Sequence, residues 1–259
     1  MNVHLELLHG AENAFALLDD RRASERADAD YAGIARAVGD TDGLLVLLPS
    51  ARADVRMRMF NPDGSEAEMC GNGIRCVARY LEERGEGERF AIETLGGKIG
   101  AKLASRSPYQ IETAMGIPRV ARDGELDAAG EHWNYTNVWV GNPHAVIFVD
   151  DLDNIDLERA GPAIETHSNF VGRVNVHFVR VVDGSTLRVR HWERGAGATR
   201  ACGTGIVASA AAAIAKGFVR SPVTVNVPGG TLYLTWDGRG EATLVGPVEH
   251  TGARDLAVT

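Results

Sequence analysis

Cys70 and Cys202 each stand directly before a glycine turn, in Met69-Cys70-Gly71-Asn72-Gly73 and Ala201-Cys202-Gly203-Thr204-Gly205, and each turn runs into a helical pattern. A helix N-terminus offers unpaired backbone N–H groups and the positive end of a dipole, a setting that lowers a thiol's pKa and holds an anion beside it. Two such cups facing each other could grip one amino-acid carboxylate, with one sulfur as thiolate base and the other as thiol acid. That combination can invert a carbon centre. Cys76 lies one helical turn inside the first helix at an inward-facing offset and reads as a small buried hydrophobe.

The surroundings of the two cysteines repeat at matching offsets. Asn61 lies nine residues before Cys70 and Glu193 nine before Cys202, each after a strand-like run ending in an aromatic, Val55–Phe60 and Leu187–Trp192. Gly96-Gly97 follows Cys70 by 26 residues and Gly229-Gly230 follows Cys202 by 27; Asn13 and Asn142 precede their cysteines by 57 and 60. We read a duplication into two halves with the active site between them. The halves are expected over 1–114 and 115–247, crossing at Met115-Gly116-Ile117-Pro118, with the tail 248–259 returning to the first half. Strand patterns at 43–48, 90–94, 138–140, 145–149, 174–179 and 223–227 outnumber helices. The longest helices are expected from Ile74 to about Glu86 and from Ile206 to about Lys216, the second an alanine run suited to close packing within a sheet. Arg21–Asp42 reads as a solvated helix with loops, and Arg84–Arg89 as a polar turn.

Composition narrows the class. With 44% hydrophobic and 24% charged residues over 259, the chain is that of a globular protein, and no apolar run approaches the ~20 residues that span a bilayer. No signal peptide is visible, so a cytoplasmic location is expected. A net charge of −8 argues against nucleic acid or an anionic membrane as partner. Three cysteines without a C-x-x-C pair give neither a disulfide framework nor a zinc site. No metal and no cofactor is expected.

With these residues in view, the chain resembles the diaminopimelate epimerase family. The resemblance runs through Phe60–Cys76, Gly141-Asn142-Pro143-His144, Arg173–Val176, Trp192–Gly197, Ala201–Gly205 and Gly246–Glu249. It implies an α/β (α+β) fold of two pseudo-symmetric domains, each a curved mixed sheet wrapped around a central helix. It implies a cofactor-independent isomerase that interconverts LL- and meso-diaminopimelate in lysine and peptidoglycan biosynthesis, with Cys70 and Cys202 as the acid/base pair. The N–H groups of Gly71, Asn72, Gly203 and Thr204 would hold the reacting carboxylate, where negative charge grows as the carbanion forms. His144 and Glu193 match residues that tune the thiols. Asn13, Asn61, Asn142, Asn175, Glu193 and Arg194 match the substrate-binding set, Arg194 being suited to a forked grip on the distal carboxylate.

The chain departs from the family pattern at several points. Glu12 and Ala14 replace a Gly and an Asp, the segment 38–43 is shortened, Ala198 stands for a usual Glu, and Gly252 stands where some members carry a dimer-contact tyrosine. A small amino-acid substrate is the expected partner, and a homodimer is compatible with the family. Two other functions fit parts of the pattern: a sister racemase acting on another amino acid such as histidine, and a thiol redox or binding protein using Cys70 and Cys202 as a switchable pair.

Overall fold

The computed structural model describes residues 2–22 and 30–257. The chain divides into two compact units, Met1–Ala114 with Val245–Thr259, and Met115–Leu244. In unit 1 the strands β1 (Asn2–Gly10), β2 (Asn13–Asp19), β3 (Gly43–Leu48) and β4 (Val55–Phe60) lie side by side, followed by β6 (Arg89–Thr94), β7 (Gly97–Arg106) and β8 (Tyr109–Ala114). β18 (Glu249–Ala257) adds to the outer edge of β1, and the two-residue β5 (Glu66–Ala67) lies on the end of β4. Neighbours are antiparallel except β2 with β3 and β4 with β6.

A helix, α2 (Gly71–Glu83), packs against β1, β2, β4, β6, β7, β8 and β18, so this mixed sheet curls around it. That is why the helix is buried on almost every side over its first turns, where Ile74, Cys76, Val77 and Ala78, and even Arg75, are fully buried. The helix α1 (Tyr31–Val38) covers the opposite face. It is no solvated helix: Tyr31, Ile34, Ala35 and Val38, at successive helical spacings, are buried against Leu44 and Val46. Residues 23–29 of the stretch read that way lie outside the described chain. β3 has an apolar neighbour on both faces, which accounts for its unbroken Leu-Leu-Val-Leu-Leu run.

Unit 2 repeats the plan element by element. β9 (Arg119–Ala128), β10 (Glu131–Trp139), β11 (Pro143–Phe148), β12 (Asn175–Asp183) and β13 (Thr186–Glu193) are followed by β15 (Val223–Val227) and β16 (Gly230–Thr235), and β17 (Thr243–Pro247) carries the chain from the last residues of unit 2 into unit 1. The short β14 (Gly197–Thr199) caps β13 as β5 caps β4. The parallel pairs are β11 with β12 and β13 with β15, the same two places as in unit 1. The central helix is α4 (Gly203–Ala215), whose Ala210–Ala213 are fully buried. The duplication read from the offsets is therefore present in the topology.

Both central helices begin three residues earlier than their hydrophobic pattern suggests, at Gly71 and Gly203, because each cysteine is itself the N-cap. α3 (Leu157–Glu165) has no counterpart in the sequence reading, since its Gly161-Pro162 pair mimics a turn. Gly161 is required there by packing: a Cβ would lie 2.4 Å from the Trp192 ring. Among the described residues no helix is long and apolar enough to cross a membrane.

The hairpin joining β1 to β2 turns in two residues, with Gly10 paired to Asn13 and both Ala11 (φ 53°) and Glu12 (φ 61°) left-handed. These are the φ signs of a type I′ turn, here built without glycine. Replacing Glu12 by Gly should remove about 1 kcal/mol of left-handed strain. Urea unfolding of Glu12→Gly should show a midpoint above that of the parent chain, and a lower midpoint would show that Glu12 is held there by contacts worth more than the strain.

Candidate active site

In unit 1, Cys70 adopts an extended conformation (φ −141°, ψ 114°) and its Sγ accepts the Gly73 amide at 3.4 Å. The sulfur thereby takes the place of the serine or aspartate oxygen usual at such a cap. Gly73 has no room for a side chain, a Cβ falling 2.9 Å from Leu45. Asn72 is buried, accepts from the Arg75 guanidinium at 2.6 Å and donates to Asn13 Oδ1 at 3.2 Å. Asn13 in turn donates to Asp42 at 2.7 Å, and the same carboxylate oxygen receives the Ala14 amide at 2.7 Å. Despite Glu12 in place of glycine, Asn13 is thus held on both its oxygen and its nitrogen. Arg75 is completely buried, and burial pulls its pKa down while the Cys70 and Cys76 sulfurs pull it up. Asn61 donates to Ser65 Oγ at 2.9 Å in the turn after β4. Cys76 is fully buried, its thiol pushed up to about 12 by desolvation, which leaves it inert.

In unit 2, Cys202 repeats the cap (φ −119°, ψ 110°), its Sγ accepting the Gly205 amide at 3.3 Å with Thr204 Oγ1 at 3.6 Å. A helix N-terminus alone would lower this thiol's pKa. Burial moves it well above its usual value, the Glu193 carboxyl pushes the same way, and the Gly205 and Thr204 hydrogen bonds only partly oppose them. Glu193 accepts from Cys202 and, at 2.6 Å, from Thr199 Oγ1, while burial raises its own pKa. The proton of this pair rests on the sulfur, the weaker acid, so Cys202 is a thiol in the ligand-free chain. Glu193 makes no ion pair with Arg194.

Arg194 is exposed, and its guanidinium donates to the Gly172 carbonyl at 3.1 Å, leaving further N–H donors. Its backbone amide donates to Asn175 Oδ1 at 3.0 Å, and Asn175 Nδ2 donates to the Pro143 carbonyl at 2.9 Å. Asn175 therefore ties β11 to the turn that presents Arg194. Glu165, at the end of α3, grips the same turn by accepting from Trp192 Nε1 at 2.7 Å and from the Gly195 amide at 3.1 Å. Nothing in the sequence marks Glu165, because the Gly161-Pro162 pair of its helix reads as a turn.

His144 is buried with both ring nitrogens engaged, Nε2 by Asn142 Oδ1 at 2.7 Å and Nδ1 by His177 Nε2 at 2.8 Å. His177 Nδ1 lies 2.8 Å from His191 Nδ1, and both these rings are fully buried. Desolvation is the largest cause that pushes His144 and His191 down to about 3 and His177 well below its usual value, so all three are neutral. Among the described residues no group of three or more His, Cys, Asp or Glu side chains is placed to hold a metal ion.

The sequence matches the diaminopimelate epimerase family pattern over residues 7–120 and 136–251. It is 42% identical over 271 residues to a diaminopimelate epimerase of Pelotomaculum thermopropionicum, covering 96% of each chain. To that of Moorella thermoacetica it is 41% identical over 257 residues, covering 90% of this chain and 91% of the other. The chain belongs to the diaminopimelate epimerase family. Its fold is shared with a Bacillus anthracis PhzF-family protein at a TM-score of 0.79 and 18% identity, with both chains fully covered. A hydroxyproline epimerase from Agrobacterium vitis aligns at 0.74 and 17% identity over 99% of this chain and 93% of the other. Membership in the diaminopimelate epimerase family makes the chain an isomerase.

The three neutral imidazoles have a consequence for stability. Each has a folded pKa below its unfolded value near 6.5, so above that pH neither state binds the proton, and below it only the unfolded chain does. Stability should fall as pH drops below about 6.5, by up to about 1.4 kcal/mol per pH unit for each imidazole. Urea midpoints measured from pH 7.5 down to 5 on the order of half a unit apart should show this decline, and a flat profile would mean that the rings are charged or hydrated in the folded chain.

Proposed function

We propose that this chain interconverts LL- and meso-diaminopimelate by removing the α-proton with one cysteine and returning a proton to the opposite face with the other, Cys70 and Cys202 filling the two roles. The observation that carries the reading is the doubled cap: in equivalent places of duplicated halves, a cysteine sulfur accepts the third amide of a glycine-started helix. The family's reaction supplies the chemistry that needs two such thiols. Inversion requires two proton carriers, since a proton that leaves one face must be replaced from the other.

The resting protonation favours one order of roles. Cys202 enters as the acid, because burial and the Glu193 carboxyl keep its proton on sulfur, and the base in that direction is Cys70. In the reverse direction the roles exchange. The first-turn amides of Gly71, Asn72, Gly203 and Thr204 have no intrahelical acceptor and are suited to the carboxylate whose charge grows in the transition state. Glu193 accepts the hydrogen bond of the Cys202 thiol, Arg194 offers a planar fork to the distal carboxylate, and Asn13, Asn61, Asn142 and Asn175 orient the substrate or the groups that touch it. His144 acts through Asn142, since both its ring nitrogens are already engaged.

Incubation with LL-diaminopimelate in deuterated water should place deuterium at the α-carbon with formation of the meso isomer. Cys70→Ala and Cys202→Ala should each abolish interconversion, whereas Cys76→Ala should lower the unfolding midpoint and leave turnover largely intact. Near-normal turnover by either of the first two variants would remove the two-base mechanism.

Arg194→Lys replaces the fork by a point charge and should lower kcat/KM by the equivalent of about 1.5–3 kcal/mol, the range for a hydrogen bond to a charged group. An unchanged kcat/KM would show that Arg194 does not touch the substrate. Preferred exchange into a monocarboxylic amino acid such as histidine would instead assign the chain to a sister racemase.

A further inference from the structure

The line of buried imidazoles in unit 2 runs Asn142, His144, His177, His191, with every link at 2.7–2.8 Å. Three polar rings in a core are costly unless every polar atom is hydrogen-bonded, and this line leaves one nitrogen, His191 Nε2, unbonded. The duplicated unit shows that the fold does not need them. Asn13 is the counterpart of Asn142 by place in the repeat, which sets Phe15 against His144. The register pairs Leu45 with Met59 in unit 1 as it pairs His177 with His191 in unit 2. Phe15, Leu45 and Met59 form part of the apolar core beneath α2. Hydrocarbon fills in one unit the positions that imidazole fills in the other. In unit 2 the α4 N-terminus lies so close to the middle ring that a Cβ on Gly205 would fall 2.4 Å from His177 Cε1.

The hydrogen-bond roles along this line follow from the orientation of the Asn142 amide, whose Oδ1 faces the His144 ring. A neutral imidazole has one N–H and one bare nitrogen. The Asn142 carbonyl oxygen only accepts, so His144 Nε2 carries its hydrogen and His144 Nδ1 is bare. His177 Nε2 must then donate to it, which leaves His177 Nδ1 bare, and His191 Nδ1 must donate in turn. The line ends at His191 Nε2, buried and without a hydrogen-bond partner. A blind end of this kind does not pass protons to water. It fixes tautomers instead.

We propose that His191 and His177 are positioning residues that lock the tautomer of His144 and, through it, turn the Asn142 amide so that its NH2 edge is offered to an anionic acceptor, the carboxylate of the amino-acid substrate. Asn142 is partly exposed, and its Nδ2 makes no hydrogen bond among the described residues. Were the line reversed, Asn142 would present its carbonyl oxygen and repel that carboxylate. The low pKa values of the rings support the lock, because a protonated ring would donate from both nitrogens and break the order. The identity of the anion rests on the function proposed above, whereas the tautomers do not.

The test has two parts. Two-bond proton–nitrogen correlation spectra of the ligand-free, 15N-histidine-labelled protein, recorded between about pH 6 and 8, should show neutral rings protonated at Nε2 in His144 and His177 and at Nδ1 in His191. His144 found protonated at Nδ1, or as a cation, would overturn the proposal, whatever the substrate is. In the second part His191→Met installs the residue that the fold already houses at the equivalent position 59, so folding is expected to survive. Loss of the donor should free the tautomers of His177 and His144 in the spectrum and raise KM for diaminopimelate about tenfold with kcat little changed. His191→Asn, whose Nδ2 can stand for the lost Nδ1–H, should restore both. Unchanged KM in a folded His191→Met variant would overturn the positioning role even where the tautomers are as stated.

Discussion

A buried helix N-terminus leaves backbone N–H groups that its own helix cannot satisfy, and both units of this chain are organised around that deficit. Each central helix is enclosed by a curled sheet, so water cannot solvate its first turn freely. A cysteine sulfur takes one amide in each, at 3.4 and 3.3 Å. The next requirement follows at once. For the first turn to lie flat on the sheet, its third residue must lack a side chain, since a Cβ at Gly73 or Gly205 would collide with Leu45 or His177. The amides left over are the ones that an anion can use.

Enclosure also sets the thiol chemistry, in a direction that the helix dipole alone does not give. An exposed helix N-terminus favours the thiolate; at Cys202 burial and the neighbouring Glu193 favour the thiol. The negative charge on sulfur is therefore expensive until something else changes in the site. A bound ammonium group, or a proton shifted onto Glu193, would supply that change.

The duplication and the two cysteine caps were legible because they rest on local rules: glycine turns, helix starts and strand alternation, repeated at fixed offsets. What escaped depends on tertiary neighbours. α3 was invisible because Gly161-Pro162 looks like a turn until Trp192 is laid against Gly161. The stretch around α1 looked solvated from its charge, yet its apolar stripe at Tyr31, Ile34, Ala35 and Val38 closes the second face of a sheet. Glu165, Asp42, His177 and His191 carry no motif of their own. Their importance lies in the atoms they touch, and spacing in the chain does not record that.

The two units solve one problem by different means. Asn13 and Asn142 occupy equivalent ends of equivalent strands, and each needs its amide held in one orientation. In unit 1 the hold is ionic and comes from both sides: Asp42 accepts from the nitrogen, while Asn72, itself gripped by the buried Arg75, donates to the oxygen. Unit 2 has Val207 at the position of Arg75, and the buried polar groups lie instead on the sheet, as three imidazoles. An ionic clamp engages the whole amide of Asn13. A chain of neutral rings ending on the oxygen of Asn142 leaves its nitrogen free. A pseudo-symmetric frame can therefore hold equivalent asparagines with different edges left open, the Nδ2 of Asn142 making no hydrogen bond among the described residues where that of Asn13 is taken by Asp42.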